Sequence, residues 1–323
     1  MDGVLTLAEL TARLSSPLVA EGYTTADGVG QCLLVALPDN AATPPLVQPA
    51  LPVIGIGNPD ADAPDVIDLV IAEDDVGDAV EAVTANPIAA TVMVQLLRHN
   101  ETASVRDGLF AESLAYSSLQ HGAEFERWLA GRQAKPATDD PAPAVLTARS
   151  GATLDVTLNR PHKRNAYSAS LRDALCDALQ VPLADPTIEV VELRGNGAAF
   201  SAGGDLDEFG EARDAAIAHV SRMSRSAGRL LAELAPRVHA HLHGACIGAG
   251  IELPAFAGRV YAQADTFFQL PEVAMGLIPG AGGTASIIRR IGRRRTAWLA
   301  LSNRRLDAET ALHWGLIDAI EPD

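Results

Sequence analysis

Apolar residues recur at helical spacing in TLAELTARL (Thr6–Leu14), with Thr6 as a candidate cap, and three short apolar runs follow at Gln31–Leu37, Leu51–Gly57 and Val66–Ala72. Their Val, Ile and Leu content, bounded by Pro, Asn and Asp, predicts strands. The period then becomes helical: Val76–Thr84, a break at Asn86-Pro87, then Ile88–Arg98 and Ser104–Leu129. Proline restricts the residue before it and cannot continue a helix, so the break belongs there. KPATDDPAPA (Lys135–Ala144) is rich in proline and small polar residues and reads as a linker. Beyond it strands and helices alternate: Thr153–Leu158 and Ile188–Leu193 as strands, Ser170–Leu179 and Arg222–Leu234 as helices, and Val238–Leu242 as the strand feeding the most glycine-rich stretch. This rhythm predicts an α/β class. The expected organisation is a small α/β extension over 1–74, a helical segment over 75–134, a linker over 135–143 and a core over 144–323.

Composition narrows the picture. At 323 residues and 48% hydrophobic, the chain can bury a large core. No apolar run reaches the ~20 residues of a membrane helix. The start, MDGVLTLAEL, lacks the basic and long apolar regions of a signal peptide, so the expected location is cytoplasmic. Cys32, Cys176 and Cys246 are odd in number and widely spaced, which fits reduced thiols. A net charge of -16 disfavours nucleic acid and anionic membrane as partners. An anionic ligand needs a local basic patch.

Candidate chemistry concentrates in Leu242–Gly283, where two Gly/Ala turns lead towards predicted helices and two glutamates, Glu252 and Glu272, lie just beyond them. Small residues let main-chain N–H groups approach a ligand, and a helix start leaves such donors unpaired. A polarised carbonyl oxygen suits that place, with the carboxylates moving protons on neighbouring carbons. The bland reading stands beside it: each glutamate fits the first turn of a helix, where it complements the dipole, and the small-residue turns fit packing contacts.

LNRPHKRNAYS (158–168), VVELRGNGAAFSAGGDLDEF (190–209), HGACIGAGIEL (243–253), FFQLPEVAMGLIPGAGGT (267–284) and RRLDAETALHWGLIDAI (304–320) together resemble, in order, the successive motifs of the crotonase, or enoyl-CoA hydratase/isomerase, superfamily. The resemblance implies a spiral of ββα turns, an acyl-CoA thioester as substrate, coenzyme A present only as part of that substrate, no metal or other cofactor, and a homo-oligomer (trimer or hexamer). Carried over by position, it implies an oxyanion hole from the N–H groups of Ala202 and Ala249, with a helix beginning near Gly250 adding its dipole. Ala249, where relatives often have glycine, requires a negative φ. It implies Glu252 as the group that activates water and Glu272 as the donor to Cα. Lys163, Arg164, Asn165, Ala166, Tyr167, Gly203, Gly204, Asp205 and Gly248 are the expected CoA-side and turn contacts. The activity implied is hydration of a 2-enoyl-CoA; the alternatives are a Δ3,Δ2-enoyl-CoA isomerase and a non-catalytic acyl-CoA-binding module.

Other features stay open. His239, His241 and His243 share one strand face and could bind metal, but lack a carboxylate or Cys at matching spacing. Arg289, Arg290 and Arg293–Arg295 suit CoA phosphates or a solvated helix face. Asp205 and Asp207 read as helix-starting residues. Gln269 replaces a usual glycine and is expected to narrow the pocket or bring an amide to the acyl chain. The core ends without the family's C-terminal helices, whereas residues 68–136 resemble them. This suggests a circularly permuted order, against which stands an unrelated helical extension; permutation is allowed where chain ends are exposed and close. Residues 1–60 suggest no chemistry.

Overall fold

The computed structural model describes residues 3–15, 32–38, 41–43, 46–132, 142–212 and 214–322. Four short parallel strands begin the chain, β1 (Val4–Thr6), β2 (Leu33–Ala36), β3 (Val53–Ile56) and β4 (Leu69–Ile71), paired in that order. The last three lie within the runs expected for them. β1 was not expected, because three residues leading straight into a helix carry no period of their own. That helix, α1 (Leu7–Leu14), is closed by a capping box in which Thr6 Oγ1 accepts from Glu9 N–H and Glu9 accepts from Thr6 N–H. This sheet has its own small core, built on Leu10, Leu14, Val35, Val53 and Ile67.

Helices α2 (Val76–Ala85) and α3 (Pro87–Asn100) meet at the expected Asn86-Pro87 break. The single helix expected over Ser104–Leu129 is instead two, α4 (Val105–Leu119) and α5 (Ala123–Ala130), separated near Gly122. The break has a structural consequence. It lets Glu124 turn back so that its carboxylate accepts from the first N–H groups of α3, Ile88 at 2.8 Å and Ala89 at 2.9 Å. Of the expected linker, 135–141 lies outside the described residues.

Next come the hairpin strands β5 (Val145–Ser150) and β6 (Thr153–Leu158), helix α6 (Ala169–Ala184), β7 (Val190–Gly195), α7 (Ala215–Ser224), α8 (Ala227–Leu234), β8 (Val238–Leu242), β9 (Ala245–Ile247) and the one-turn α9 (Ala249–Glu252). The helix expected over Arg222–Leu234 is again two, because Ser226 caps the start of α8 by accepting from Arg229 N–H. The chain closes with β10 (Arg259–Gln263), β11 (Phe267–Gln269), the kinked α10 (Gly283–Leu301), β12 (Leu306–Asp307), α11 (Ala308–Trp314) and β13 (Ala319–Glu321).

Consecutive strands separate into two sheets. One runs β13-β10-β8-β7-β6-β5, parallel except for the hairpin strand β5; the other runs β12-β11-β9. Thus β8 and β9 leave each other at once, as do β10 and β11, which is a spiral rather than a doubly wound sheet. Residues on α2–α5 share one continuous core with this spiral: Leu97 and Phe125 cluster with Ile251, Leu270 and Ile287.

The arginines of α10 join the two parts. Arg293 is 4% exposed and donates to Asp68 at 3.0 Å, Glu101 at 3.0 Å and the Asp65 carbonyl, while Arg294 donates to the carbonyls of Ala63, Pro64 and Ile67. Arg98 approaches Asp68 from α3, at 2.5 Å. Arg293 and Arg294 therefore clamp the N-terminal sheet to the core, whereas Arg290 donates to the Ala255 and Ala257 carbonyls within the core and Arg289 is exposed. Among the described residues no single helix is long and apolar enough to cross a membrane.

Candidate active site

A cavity of about 600 Å³ opens where the β6–α6 connection, the turn after β7, the start of α9 and the turn before α10 meet α4 and α7. Its size suits a small-molecule acyl group. Four of the residues singled out from sequence line it on the spiral side: Tyr167, Gly204, Ala249 and Asp205. Glu252 and Glu272 stand beside them.

Gly248 brings the two glutamates together. Its φ of +50° suits glycine, and its N–H donates to the Gln269 carbonyl at 2.9 Å. A Cβ added there abuts Glu272 Oε1 and lies 3.7 Å from Glu252 Oε1, so both carboxyl groups converge on one point next to Ala249. Glu252 is 2% exposed, and its Oε2 accepts from Ala281 N–H at 2.7 Å and Gly283 N–H at 2.9 Å. Burial pushes its carboxyl up to about 7, with those two amides pulling it back. Glu272 has a buried Oε2 with no hydrogen-bond partner among the described residues. Burial, and then the neighbouring Glu252 charge, hold its carboxyl well above the usual range.

The amides differ from the expected pair in one member. Ala202 N–H donates to the Arg164 carbonyl at 2.9 Å, so it is already used and cannot face a ligand. Gly204, two residues on, lines the cavity, and its N–H makes no hydrogen bond to a described residue. A Cβ there meets the Phe209 ring, which explains the glycine. Ala249 is as expected in conformation, since it is absent from the residues of positive φ. Its N–H, at the first position of α9, also makes no hydrogen bond to a described residue. The expected dipole is not supplied, because α9 is a single turn of four residues.

Several of the expected CoA-side residues also hold the fold together. The Asn165 side chain is fully occupied: Oδ1 accepts from Arg160 N–H, and Nδ2 donates to the carbonyls of Asn196, Ala199 and Phe200. Ala166 is buried and its carbonyl accepts from Arg160. Asp205 is ion-paired with Arg160 at 2.9 Å and caps the short turn that follows. Lys163 is ion-paired with Asp207. Gly203 passes against the Ile247 carbonyl at φ +89°, and its own carbonyl accepts from Tyr167 N–H. Arg164 is exposed. The Gln269 amide turns away to Asn303, so it neither narrows the pocket nor meets an acyl chain.

The histidines of β8 point outward while Val238, Ala240 and Leu242 point in. Folding supplies the carboxylates that the sequence spacing lacks: His239 reaches Glu192 at 3.2 Å, and His241 lies between Glu192 and Glu321. The His243 ring goes elsewhere, to the Gly197 carbonyl. Among the described residues no group of three His, Cys, Asp or Glu is placed to hold a metal ion.

Sequence reading missed the α4 contribution. Glu112, 2% exposed, accepts from Gly282 N–H at 2.7 Å, Thr284 N–H at 2.9 Å and Thr284 Oγ1 at 2.6 Å. Burial, with the Glu252 charge second, pushes its carboxyl up to about 8. The Tyr116 ring packs against Gly280, and Arg222 from α7 stacks on its other contact surface, 4.4 Å from the ring centre. One signal was available: Glu112 shares the buried helix face of Leu109 and Tyr116, at spacings of three and four.

Carboxyl groups of raised pKa beside two unspent amides, in a spiral of alternating sheets, make a cavity of crotonase type. Comparison with known proteins agrees. Residues 148–323 match the family model described as enoyl-CoA hydratase/isomerase, and the chain belongs to that family. It is 35% identical over 178 residues to 2,3-dehydroadipyl-CoA hydratase of Escherichia coli strain K12, covering 55% of this chain and 69% of that one. It is 33% identical to 1,2-epoxyphenylacetyl-CoA isomerase of the same organism, covering 55% and 70%. Among solved structures it is similar to an enoyl-CoA hydratase from Thermoplasma volcanium (TM-score 0.51, 30% identity, 56% of this chain and 73% of that one). It is also similar to an enoyl-CoA hydratase/isomerase from Marinobacter aquaeolei (TM-score 0.51, 28% identity, 56% and 72%).

Proposed function

We propose that the protein adds water across the 2,3 double bond of a 2-enoyl-CoA. The observation that carries this reading is the convergence of Glu252 and Glu272 beside the free N–H groups of Gly204 and Ala249. In this reading the thioester oxygen accepts from those two amides, each such donor being worth ~3 kcal/mol to the developing enolate. Glu252, the more acidic of the pair, is ionised and takes a proton from water as its oxygen bonds to Cβ. Glu272, kept protonated by burial, delivers hydrogen to Cα. The proton gained by Glu252 and that lost by Glu272 balance, and exchange with solvent restores both groups. Coenzyme A enters as part of the substrate.

Isomerisation between the Δ3 and Δ2 positions is the second reading. One observation favours it: Glu252 Oε2 is held by two amides, whereas Glu272 Oε2 is buried with no hydrogen-bond partner among the described residues. Glu252→Gln separates the two readings. Under the first it abolishes hydration; under the second, isomerisation survives it. Loss of both, or no turnover on short, long, branched and aromatic enoyl-CoAs despite binding, speaks for an acyl-CoA-binding module.

The packing of α3 and α4 against α10, with α4 lining the cavity, supports the reading of these helices as the family's C-terminal segment in permuted order. Assembly into a trimer or hexamer belongs to the same reading, and light scattering tests it.

A further inference from the structure

Among the described residues three arginines line the cavity: Arg172, Arg222 and Arg225. Two already have acids. Arg172 pairs with Asp173 at 2.9 Å and Arg225 with Asp177 at 2.8 Å. Arg222 is different. Its guanidinium stacks on Tyr116 and donates to two neutral acceptors, Ser117 Oγ at 2.7 Å and Gln120 Oε1. Among the described residues no carboxylate lies within ion-pair distance of it. Burial disfavours its charged form and lowers its pKa, yet an arginine stays protonated. The carboxyl group whose field reaches it, Glu112, faces the turn at 282–284, and burial pushes its pKa up to about 8. A half-buried cation without a counter-charge is costly unless a ligand completes it.

Its place in the cavity says which end of the ligand it meets. Tyr116 contacts Arg222 on the one hand and Gly280, next to the turn that holds Glu252, on the other. Arg222 therefore lies on the α4–α7 side, beyond the carboxyl pair. The turn of Lys163–Tyr167, where the CoA end is expected, belongs to the spiral side. Ser113, tied to His219 at 2.9 Å, adds further polar lining to the same wall. A purely hydrocarbon chain would leave the Arg222 charge without a counter-charge.

We propose that Arg222 receives a carboxylate at the far end of the acyl chain, so that the preferred substrate is the CoA thioester of an unsaturated dicarboxylic acid. The guanidinium fork matches a carboxylate in two parallel hydrogen bonds, and Tyr116, Ser117 and Gln120 hold it in one orientation. This rests on the acyl-thioester reading of the cavity.

The test compares paired 2-enoyl-CoAs of equal length, one ending in a carboxylate and one in methyl, across increasing lengths, on the full chain and on Arg222→Met and Arg222→Lys. The expected result is a wild-type preference in kcat/KM for the carboxylate of roughly tenfold to a hundredfold, the worth of hydrogen bonds to a charged group. Arg222→Met should collapse that ratio and Arg222→Lys restore part of it. Equal use of both substrates by the wild type, or a ratio unmoved by Arg222→Met, overturns the proposal. If neither substrate is hydrated the enzymatic reading fails on its own. Calorimetric binding of the saturated carboxylate- and methyl-terminated acyl-CoAs then decides the role of Arg222 by the same ratio.

Discussion

Glu252 and Glu112, from opposite sides of the cavity, share the four successive N–H groups of one turn: Glu252 accepts from Ala281 and Gly283, Glu112 from Gly282 and Thr284. The start of α10 is thus closed by two carboxyl groups instead of a capping side chain of its own. One oxygen of Glu252 is fixed by this arrangement, and the other faces Glu272. A residue from α4 therefore sets the position of a group proposed to act on substrate.

Glu112→Ala leaves two buried N–H groups and a hydroxyl without their acceptor. The expected loss is about 2–3 kcal/mol in chemical denaturation, together with a fall in kcat greater than any change in KM as the turn holding Glu252 relaxes. An unchanged kcat would show that the turn is held without Glu112.

The pH dependence follows from the raised carboxyl groups. If Glu252 must be ionised and Glu272 protonated, kcat/KM rises with pH through about 7 and falls again at the higher pH where Glu272 loses its proton. The stability effect has its own sign. The folded chain keeps protons on Glu112 and Glu252 that the unfolded chain releases above 4.5, so the stabilisation they give is complete below that pH and is lost as pH rises through about 7 to 8. Thermal midpoints measured across this range test the direction.

Gly248→Ala puts a methyl group against Glu272 Oε1 at a φ of +50°. Backbone strain costs about 1–2 kcal/mol, and the larger effect is on catalysis, because Glu272 must move. We expect a drop in kcat of about a hundredfold with the protein still folded by circular dichroism.

Arg293→Ala leaves Asp68 with Arg98 alone and removes a buried ion pair from the joint between the N-terminal sheet and α10. Breaking such a pair costs about 3–5 kcal/mol. Limited proteolysis should then cut the N-terminal sheet before the core.

Reordering the gene so that residues 75–130 follow residue 322 through a flexible linker tests the permutation directly. The helices pack against α10 and the cavity whichever end they are joined to, so a folded, active chain is the expected product. A chain that folds only in the present order would oppose the idea.

Local pattern carried a good part of this. Thr6 announced its capping box, Asn86-Pro87 its break, and the alternation of Val238–Leu242 its strand, because each depends on neighbours a few residues away. The ordered motifs led to the family and to the glutamate pair. Splitting of the Ser104–Leu129 and Arg222–Leu234 segments was not legible. Those breaks are fixed by Glu124 reaching α3 and by Ser226 capping α8, the first of them a contact across 35 residues or more.

The sequence by itself determined which residue types stand at each turn, since φ, capping and period are properties of short segments. Only the tertiary structure decided which amides were free, that Ala202 spends its N–H on Arg164 while Gly204 does not, that Arg98, Arg293 and Arg294 form a joint, and that Glu112 and Arg222 face the cavity. Hydrogen-bond partners and burial belong to pairs of groups far apart along the chain, and a single position cannot disclose them.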